Sequence, residues 1–129
     1  MKSTSARYID VTNEATAQLM RVFNCTDKMV YLALTYRKDS ELARKIRYTA
    51  VKNYGGKPMA HSPQCETMHN TTADGRQLMV QYFDNGAVLE ADKGTGQVIV
   101  TNRRGEEVGR WPHVDLPKLA EIQLYAESL

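Results

Sequence analysis

The spacing of apolar residues changes part-way along this chain of 129 residues. Up to about residue 54, apolar residues recur three or four positions apart, a spacing typical of amphipathic helices. After residue 76, short β-branched runs such as Val98-Ile99-Val100 alternate with glycine turns such as Asp84-Asn85-Gly86, which is typical of antiparallel strands. The two patterns together predict an α+β protein.

Three helices are predicted in the first half, each preceded by a polar residue that can cap its free amides. The predicted caps are Thr12 or Asn13, Thr26, and Asp39 or Ser40. The residues predicted to face inward are Ala15, Leu19, Val22 and Phe23 on the first helix, Val30, Ala33 and Leu34 on the second, and Leu42, Ala43, Ile46 and Ala50 on the third. Gly55-Gly56 then ends the third helix near Tyr54.

The sequence therefore predicts a three-helix head over residues 1–56, a linker or loop over 57–75, and a second domain over 76–129. The second domain is expected to be a three- or four-stranded antiparallel meander followed by a terminal helix that opens at Asp115-Leu116-Pro117. The apolar face of that helix is Leu116, Leu119, Ile122, Leu124 and Ala126. Because a domain this small buries little apolar surface alone, we expect it to dimerise, with the apolar face of residues 116–126 and the edge of the meander as the candidate interface.

Charge is unevenly distributed between the two halves. Residues 1–60 contain 11 Lys and Arg against 5 Asp and Glu, whereas residues 61–129 contain 6 against 10. A basic first half beside an acidic second half suggests that the first half binds a polyanion.

Composition predicts the cellular compartment in which the protein is located. No apolar stretch approaches the roughly 20 residues that a membrane span requires, and no apolar run follows residues 1–7, so we expect no secretory signal. Cys25 and Cys65 are the two cysteines, and they are interpreted as free thiols in a reducing cytoplasm.

The sequence around the first two helices is typical of a helix-turn-helix. Asn24 tolerates the left-handed conformation that such a turn needs, and Thr26 can start the next helix. The second helix fits the major groove, where outer side chains near its N-terminus reach base edges. The predicted base contacts are Asp27, Lys28, Tyr31, Leu32 and Thr35.

This segment resembles the lac-repressor-type helix-turn-helix. In order, the chain has the Val11-Thr12 pair, the Asn24-Cys25-Thr26 turn, apolar Val30 and the Asp39-Ser40 start of the third helix, all at the family's spacing. The resemblance covers about residues 11–54 and implies that the second helix reads DNA. The chain departs from the family at Met20, where the family prefers alanine, and at Asn24, where it prefers glycine.

The third helix is also similar to that of small phage or mobile-element DNA-binding proteins, through Ile46-Arg47, Ala50 and Gly55-Gly56. Basic and hydroxyl side chains near the motif fit contact with DNA phosphates, which position a protein without specifying sequence. The predicted phosphate contacts are Thr12, Thr26, Arg37, Lys38, Arg44, Lys45 and Arg47.

Other constellations are weaker. His61, Cys65 and His69 would share a face of a helix and could ligate zinc, but Pro63 argues against that helix. A Cys65 nucleophile lacks an orienting partner. Tyr82, Phe83 and Trp111 could stack on single-stranded bases, although the acidic charge of that half opposes it. We therefore predict no metal, no cofactor and no enzymatic activity.

The favoured function is sequence-specific binding of double-stranded DNA by a homodimeric transcriptional regulator. One alternative is an accessory DNA-binding factor for phage or plasmid replication or transfer. Another is a protein-interaction module that uses the helices to bind a partner protein and does not bind DNA.

Overall fold

The computed structural model describes residues 7–60, 63 and 65–129, and the chain divides near residues 62 and 63 into two compact units. The first unit contains β1 (Tyr8–Asp10), α1 (Asn13–Phe23), α2 (Asp27–Leu34), α3 (Glu41–Asn53) and β2 (Lys57–Met59). The second contains β3 (Cys65–Thr71), β4 (Gln77–Phe83), β5 (Val88–Asp92), β6 (Val98–Thr101), β7 (Glu107–Trp111) and α4 (Leu116–Glu127).

The first three helices begin at side-chain caps. The hydroxyl oxygens of Thr12, Thr26 and Ser40 each accept a hydrogen bond from the backbone amide three residues further on, all at 3.1 Å. Each cap satisfies one of the amides that a helix leaves unpaired at its start. Thr26 was predicted as a cap, and Thr12 and Ser40 were each one of two predicted residues, because capping depends only on neighbouring residues.

The core of the first unit lies where α1, α2 and α3 pack on one another. Its fully buried apolar residues are Leu19, Val30, Ala33, Ala43, Ile46 and Ala50. Two predicted core residues are instead exposed: Val22 retains 54% of its accessible surface and Leu42 retains 38%. On α3 the buried stripe runs through Ala43, Ile46 and Ala50 and takes in Arg47 rather than Leu42.

Two short strands join the ends of the first unit. β1 and β2 pair antiparallel, with Ile9 opposite Pro58, and Ile9 is buried. A Cβ atom on Gly56 would lie 2.9 Å from Cγ2 of Ile9 and 3.0 Å from the carbonyl oxygen of Ala50. Glycine at this position therefore allows β2 to leave the end of α3 in close contact with β1.

The predicted fold, a three-helix head followed by a three- or four-stranded meander and a terminal helix, is wrong. The described residues form four helices and seven strands in two sheets, a two-stranded sheet and a five-stranded sheet. Within the predicted linker or loop over residues 57–75 the chain forms strands β2 and β3, and the boundary between the two units lies between these strands. β1 and β2 are too short for a recognisable period, and β3 shows no alternation because nearly all of it is exposed.

The second unit is an antiparallel sheet in the order β3-β4-β5-β6-β7 with α4 against it. Its core combines Phe83, Ala87, Leu89, Val98 and Val100 from the sheet with Ile122 and Ala126 from α4. The Asn85 side-chain amide donates to the carbonyl oxygens of Ala126 at 2.8 Å and Leu129 at 3.0 Å. These bonds satisfy carbonyls at the end of α4 and fix its C-terminus to the β4–β5 turn.

Candidate nucleic-acid interface

The turn between α1 and α2 is short and closed by hydrogen bonds. Asn24 adopts a left-handed conformation, with φ of 49° and ψ of 55°. The backbone amides of Asn24 and Cys25 both donate to the carbonyl oxygen of Met20. Thr26 then caps α2 by accepting from the amide of Met29. Three residues, 24–26, thus end one helix, reverse direction and start the next.

Packing determines which face of α2 is exposed. Val30, Ala33 and Leu34 are buried. Because residues three and four apart share a helix face, this leaves Lys28 and Tyr31 pointing away from the core. Tyr31 retains 52% of its accessible surface, and Lys28 is exposed.

The other predicted base contacts differ in exposure. Asp27 is exposed in the first turn of α2, whereas Leu32 and Thr35 are half-buried. The Thr35 hydroxyl donates to the carbonyl oxygen of Tyr31 at 2.7 Å. The hydroxyl hydrogen of Thr35 is therefore not available to donate to a base.

Two basic side chains follow α2. Arg37 and Lys38 are both exposed. The guanidinium carbon of Arg37 lies 5.8 Å from the centre of the Tyr31 ring, within the range of a cation–π contact. Positive charge thus lies beside the exposed aromatic ring of α2.

The predicted phosphate contacts on α3 are less available. Arg44 donates to both carboxylate oxygens of Asp39, from Nε and Nη2, at 3.1 Å each. Lys45 lies on an exposed part of α3, with its ammonium 3.4 Å from the carboxylate of Glu41. Since such surface pairs are weak, Lys45 remains a candidate for phosphate contact. Arg44 is less available because two of its guanidinium nitrogens already donate to Asp39.

Arg47, predicted to contact phosphate, is fully buried, so that prediction is wrong. Its Nη1 donates to the carbonyl oxygens of Ala33 at 2.9 Å and Lys38 at 3.0 Å, and its Nη2 donates to Asp39. A buried cation needs such partners to offset its loss of hydration. Because Ala33 lies in the last turn of α2, Arg47 also places positive charge at the negative end of that helix dipole.

Asp39 balances the charge of Arg47 within the α2–α3 turn. Burial raises the pKa of the Asp39 carboxyl, but hydrogen bonds and charge from Arg44 and Arg47 outweigh burial and hold that pKa below its ordinary value. Asp39 therefore remains ionised while it bridges two arginines.

Tyr36 stabilises the turn after α2, a role that the sequence analysis did not predict. It has a left-handed backbone with φ of 59°, a strained conformation for an aromatic residue. The guanidinium carbons of Arg47 and Arg7 lie 4.3 Å and 3.9 Å from the centre of its ring. These contacts hold the turn that follows α2. Spacing was a signal that Arg47 is buried, since it lies four residues after Ala43 and three before Ala50 on the buried stripe of α3. Spacing did not indicate its contact with Tyr36.

A cavity of about 240 Å³ lies between β1 and α2. Its lining includes Tyr8 and Asp10 from β1 beside Asp27 and Tyr31 from α2. The two carboxylates make this side of α2 unfavourable for phosphate. A DNA backbone is therefore better placed on the side of Arg37 and Lys38.

The constellations set aside on sequence do not form a site in the second unit. His61 lies outside the described residues. Cys65 and His69 lie on strand β3 rather than on a helix, and four positions along a strand separate them by roughly 13 Å. Among the described residues, no three His, Cys, Asp or Glu side chains cluster closely enough to hold a metal ion.

The aromatic residues of the meander also do not form one stacking surface. Tyr82 is exposed, whereas Phe83 is buried. Trp111 is half-buried and packs edge to face with Tyr125, with their ring centres 6.1 Å apart. The three aromatic side chains therefore differ in burial and do not offer one surface on which bases could stack.

Comparison with known proteins found no match: no family model fits this chain, and no curated protein or solved structure shows significant similarity to it. No helix in the described part of the chain has the length and apolar character needed to cross a membrane.

Proposed function

We propose that this protein binds double-stranded DNA in a sequence-specific manner, with α2 in the major groove, and acts in the cytoplasm as a dimeric transcriptional regulator. The observation that carries the proposal is the α1–α2 turn. Asn24 is left-handed there, Thr26 caps α2, and the Lys28 and Tyr31 side chains on the outer face of α2 are exposed.

The proposed contacts follow from this geometry. Lys28 donates to guanine acceptors, Tyr31 contacts a base edge or a phosphate, and the methyl group of Thr35 touches a thymine methyl. Asp27 accepts from cytosine, and Leu32 makes apolar contact at the groove wall. Phosphates are bound by Arg37, Lys38 and Lys45, and by the hydroxyl hydrogens of Thr12 and Thr26.

A dimer is part of the proposal because one helix of eight residues reads only a few base pairs. Two copies related by a two-fold axis double the sequence that is read. The target is then a palindrome whose half-sites lie about one helical turn apart.

Selection from a pool of random duplexes tests this function. The proposal expects retained duplexes to converge on a palindromic sequence, with binding that weakens steeply as salt rises. Retention without enrichment of any sequence would contradict specific recognition. Failure to retain duplex DNA at low salt would contradict DNA binding itself.

The cavity between β1 and α2 favours a second candidate, a protein-interaction module. Its lining combines the tyrosines Tyr8 and Tyr31 with the carboxylates Asp10 and Asp27, which suits a basic segment of a partner protein. Substitution distinguishes the two functions. Asp10→Asn weakens partner binding if the cavity is used, whereas it leaves DNA binding unchanged or strengthens it by removing negative charge.

A further inference from the structure

Strand β3 is an edge of the five-stranded sheet. Among the described residues it pairs with β4 alone, and its seven residues match seven on β4 without a register shift. Six of the seven, residues 66–71, are exposed. Its sequence, Cys-Glu-Thr-Met-His-Asn-Thr, contains no proline or lysine. The Cys65 amide at its start donates to the carbonyl oxygen of Pro63. Beyond Cys65, the outer edge of such a strand presents backbone groups that can pair with another strand.

The opposite edge is protected by comparison. β7 is shorter, and its pairing with β6 shifts register near Val100 and Thr101. Its Arg110 and Glu107 form an ion pair at 2.7 Å, which adds charge to that edge. Irregularity and charge are common means by which edge strands avoid pairing. The asymmetry makes β3 the edge available for a partner.

We propose that β3 pairs antiparallel with β3 of a second copy of this chain, centred on Met68. In this register Met68 faces its own counterpart, Thr67 faces His69, and Glu66 faces Asn70. Cys65 then faces Thr71. No two like charges lie opposite each other, so the strand is complementary to itself. The arrangement has the two-fold symmetry of most homodimers and continues the sheet from five strands to ten.

Side-chain exposure supports this register. Met68 retains 52% of its accessible surface, which is large for an apolar side chain on a strand. Its partner on β4 is Val80, which is buried, and paired residues share one face of the sheet. Pairing two β3 strands places the two Met68 side chains together. It thereby covers apolar surface that the single chain leaves exposed.

This inference rests on the proposed function in one respect: reading DNA requires a dimer, and pairing of two β3 strands supplies that dimer. The inference is tested without DNA. The sequence-based expectation named two candidate interfaces, the apolar face of residues 116–126 and the edge of the meander, and the inference selects the edge. Ile122 and Ala126 from that face are already packed in the core of their own unit.

Sedimentation of the full chain at micromolar concentration is the first test. The inference expects a dimer that Met68→Lys converts to a monomer, because two lysines would lie opposite each other. Val108→Lys, on the edge strand β7 at a site 37% exposed, is the matched control and stays dimeric. A monomeric parent chain, or a Met68→Lys chain that stays dimeric, would overturn the inference.

Disulfide trapping tests the register even if a charged variant misfolds. In a chain carrying Cys25→Ser and Cys65→Ala, Met68→Cys places two thiols directly opposite, within the Cα spacing that a disulfide allows. Asn70→Cys places its thiols roughly 13 Å apart along the strand. Oxidation is expected to cross-link the first variant and not the second. The reverse result, or no cross-link in either, would overturn the pairing.

The DNA experiments separate the two claims. A β3 dimer that fails to retain duplex DNA would count against the proposed function alone. A chain that selects a palindromic DNA sequence as a dimer, but whose Met68→Lys variant also stays dimeric, would overturn the β3 pairing alone.

Discussion

The fully buried guanidinium of Arg47 donates to the carboxylate of Asp39, so an ion pair holds the turn between α2 and α3. Arg47 also donates to the carbonyl oxygen of Ala33 near the end of α2. The proposed recognition helix is therefore fixed at its start by Thr26 and at its end by Arg47. A charge that the sequence assigned to DNA instead positions the helix.

Removing Asp39 should destabilise the first unit strongly. Asp39→Ala leaves the buried Arg47 without its counter-charge; because the Asp39 side chain is itself 38% exposed, solvent screens part of the loss, and we expect a cost of about 1–3 kcal/mol. Arg44→Ala is the matched control, because Arg44 is partly solvated and such pairs contribute about 1 kcal/mol or less. Urea denaturation followed by circular dichroism measures both. Equal losses of stability in the two variants would contradict the assigned role of Arg47.

The same ion pair makes stability depend on pH. The pKa of Asp39 is lower in the folded protein than its ordinary value of 3.8, so its contribution is complete above that value and is lost as pH falls through the lower folded pKa. Asp39→Asn should flatten this part of the pH profile. Thermal unfolding between pH 2 and 7 tests it, with Asp84→Asn in an exposed turn as control. An unchanged profile in Asp39→Asn would refute the assignment.

The conformation of Asn24 gives a prediction about the turn. Asn24→Val should destabilise the first unit by about 1–2 kcal/mol, because a β-branched residue disfavours the left-handed region. Asn24→Gly should be tolerated, since glycine adopts that region without a steric penalty. The midpoints of urea denaturation compare the two variants. If valine is tolerated as well as glycine, the turn does not depend on a left-handed residue.

Lys38 should contribute to DNA affinity without contributing to specificity. Lys38→Ala is expected to weaken binding to all duplexes alike and to reduce the slope of log affinity against log salt by about 1, the amount expected for one lost phosphate contact. Lys93→Ala, in an exposed turn of the second unit, serves as the control for lost charge. Fluorescence anisotropy at several salt concentrations gives both quantities. An unchanged slope in Lys38→Ala would remove Lys38 from the interface.

Local features were predictable from the sequence. The caps Thr12, Thr26 and Ser40, the interruption at Asn24 and the stop at Gly55-Gly56 depend on residues a few positions apart. Their interactions are therefore readable from composition and spacing.

Features that depend on residues far apart in the sequence were not predictable. β1 pairs with β2 across nearly the whole first unit, and three-residue strands carry no period. β3 is almost wholly exposed, so it lacks the apolar alternation by which strands are recognised. Arg47 was assigned to DNA because a charged residue was taken to be exposed. Its burial depends on partners in α2 and in the following turn, which helical spacing alone does not identify.

The central claim, that α2 reads DNA sequence, is tested most directly by comparing Lys28→Ala and Tyr31→Ala with the parent chain on a selected duplex and a scrambled one. The account predicts a loss of about 1–3 kcal/mol on the selected duplex in each variant, little change on the scrambled duplex, and an unchanged circular dichroism spectrum. Unaltered discrimination between the two duplexes in both correctly folded variants would contradict it.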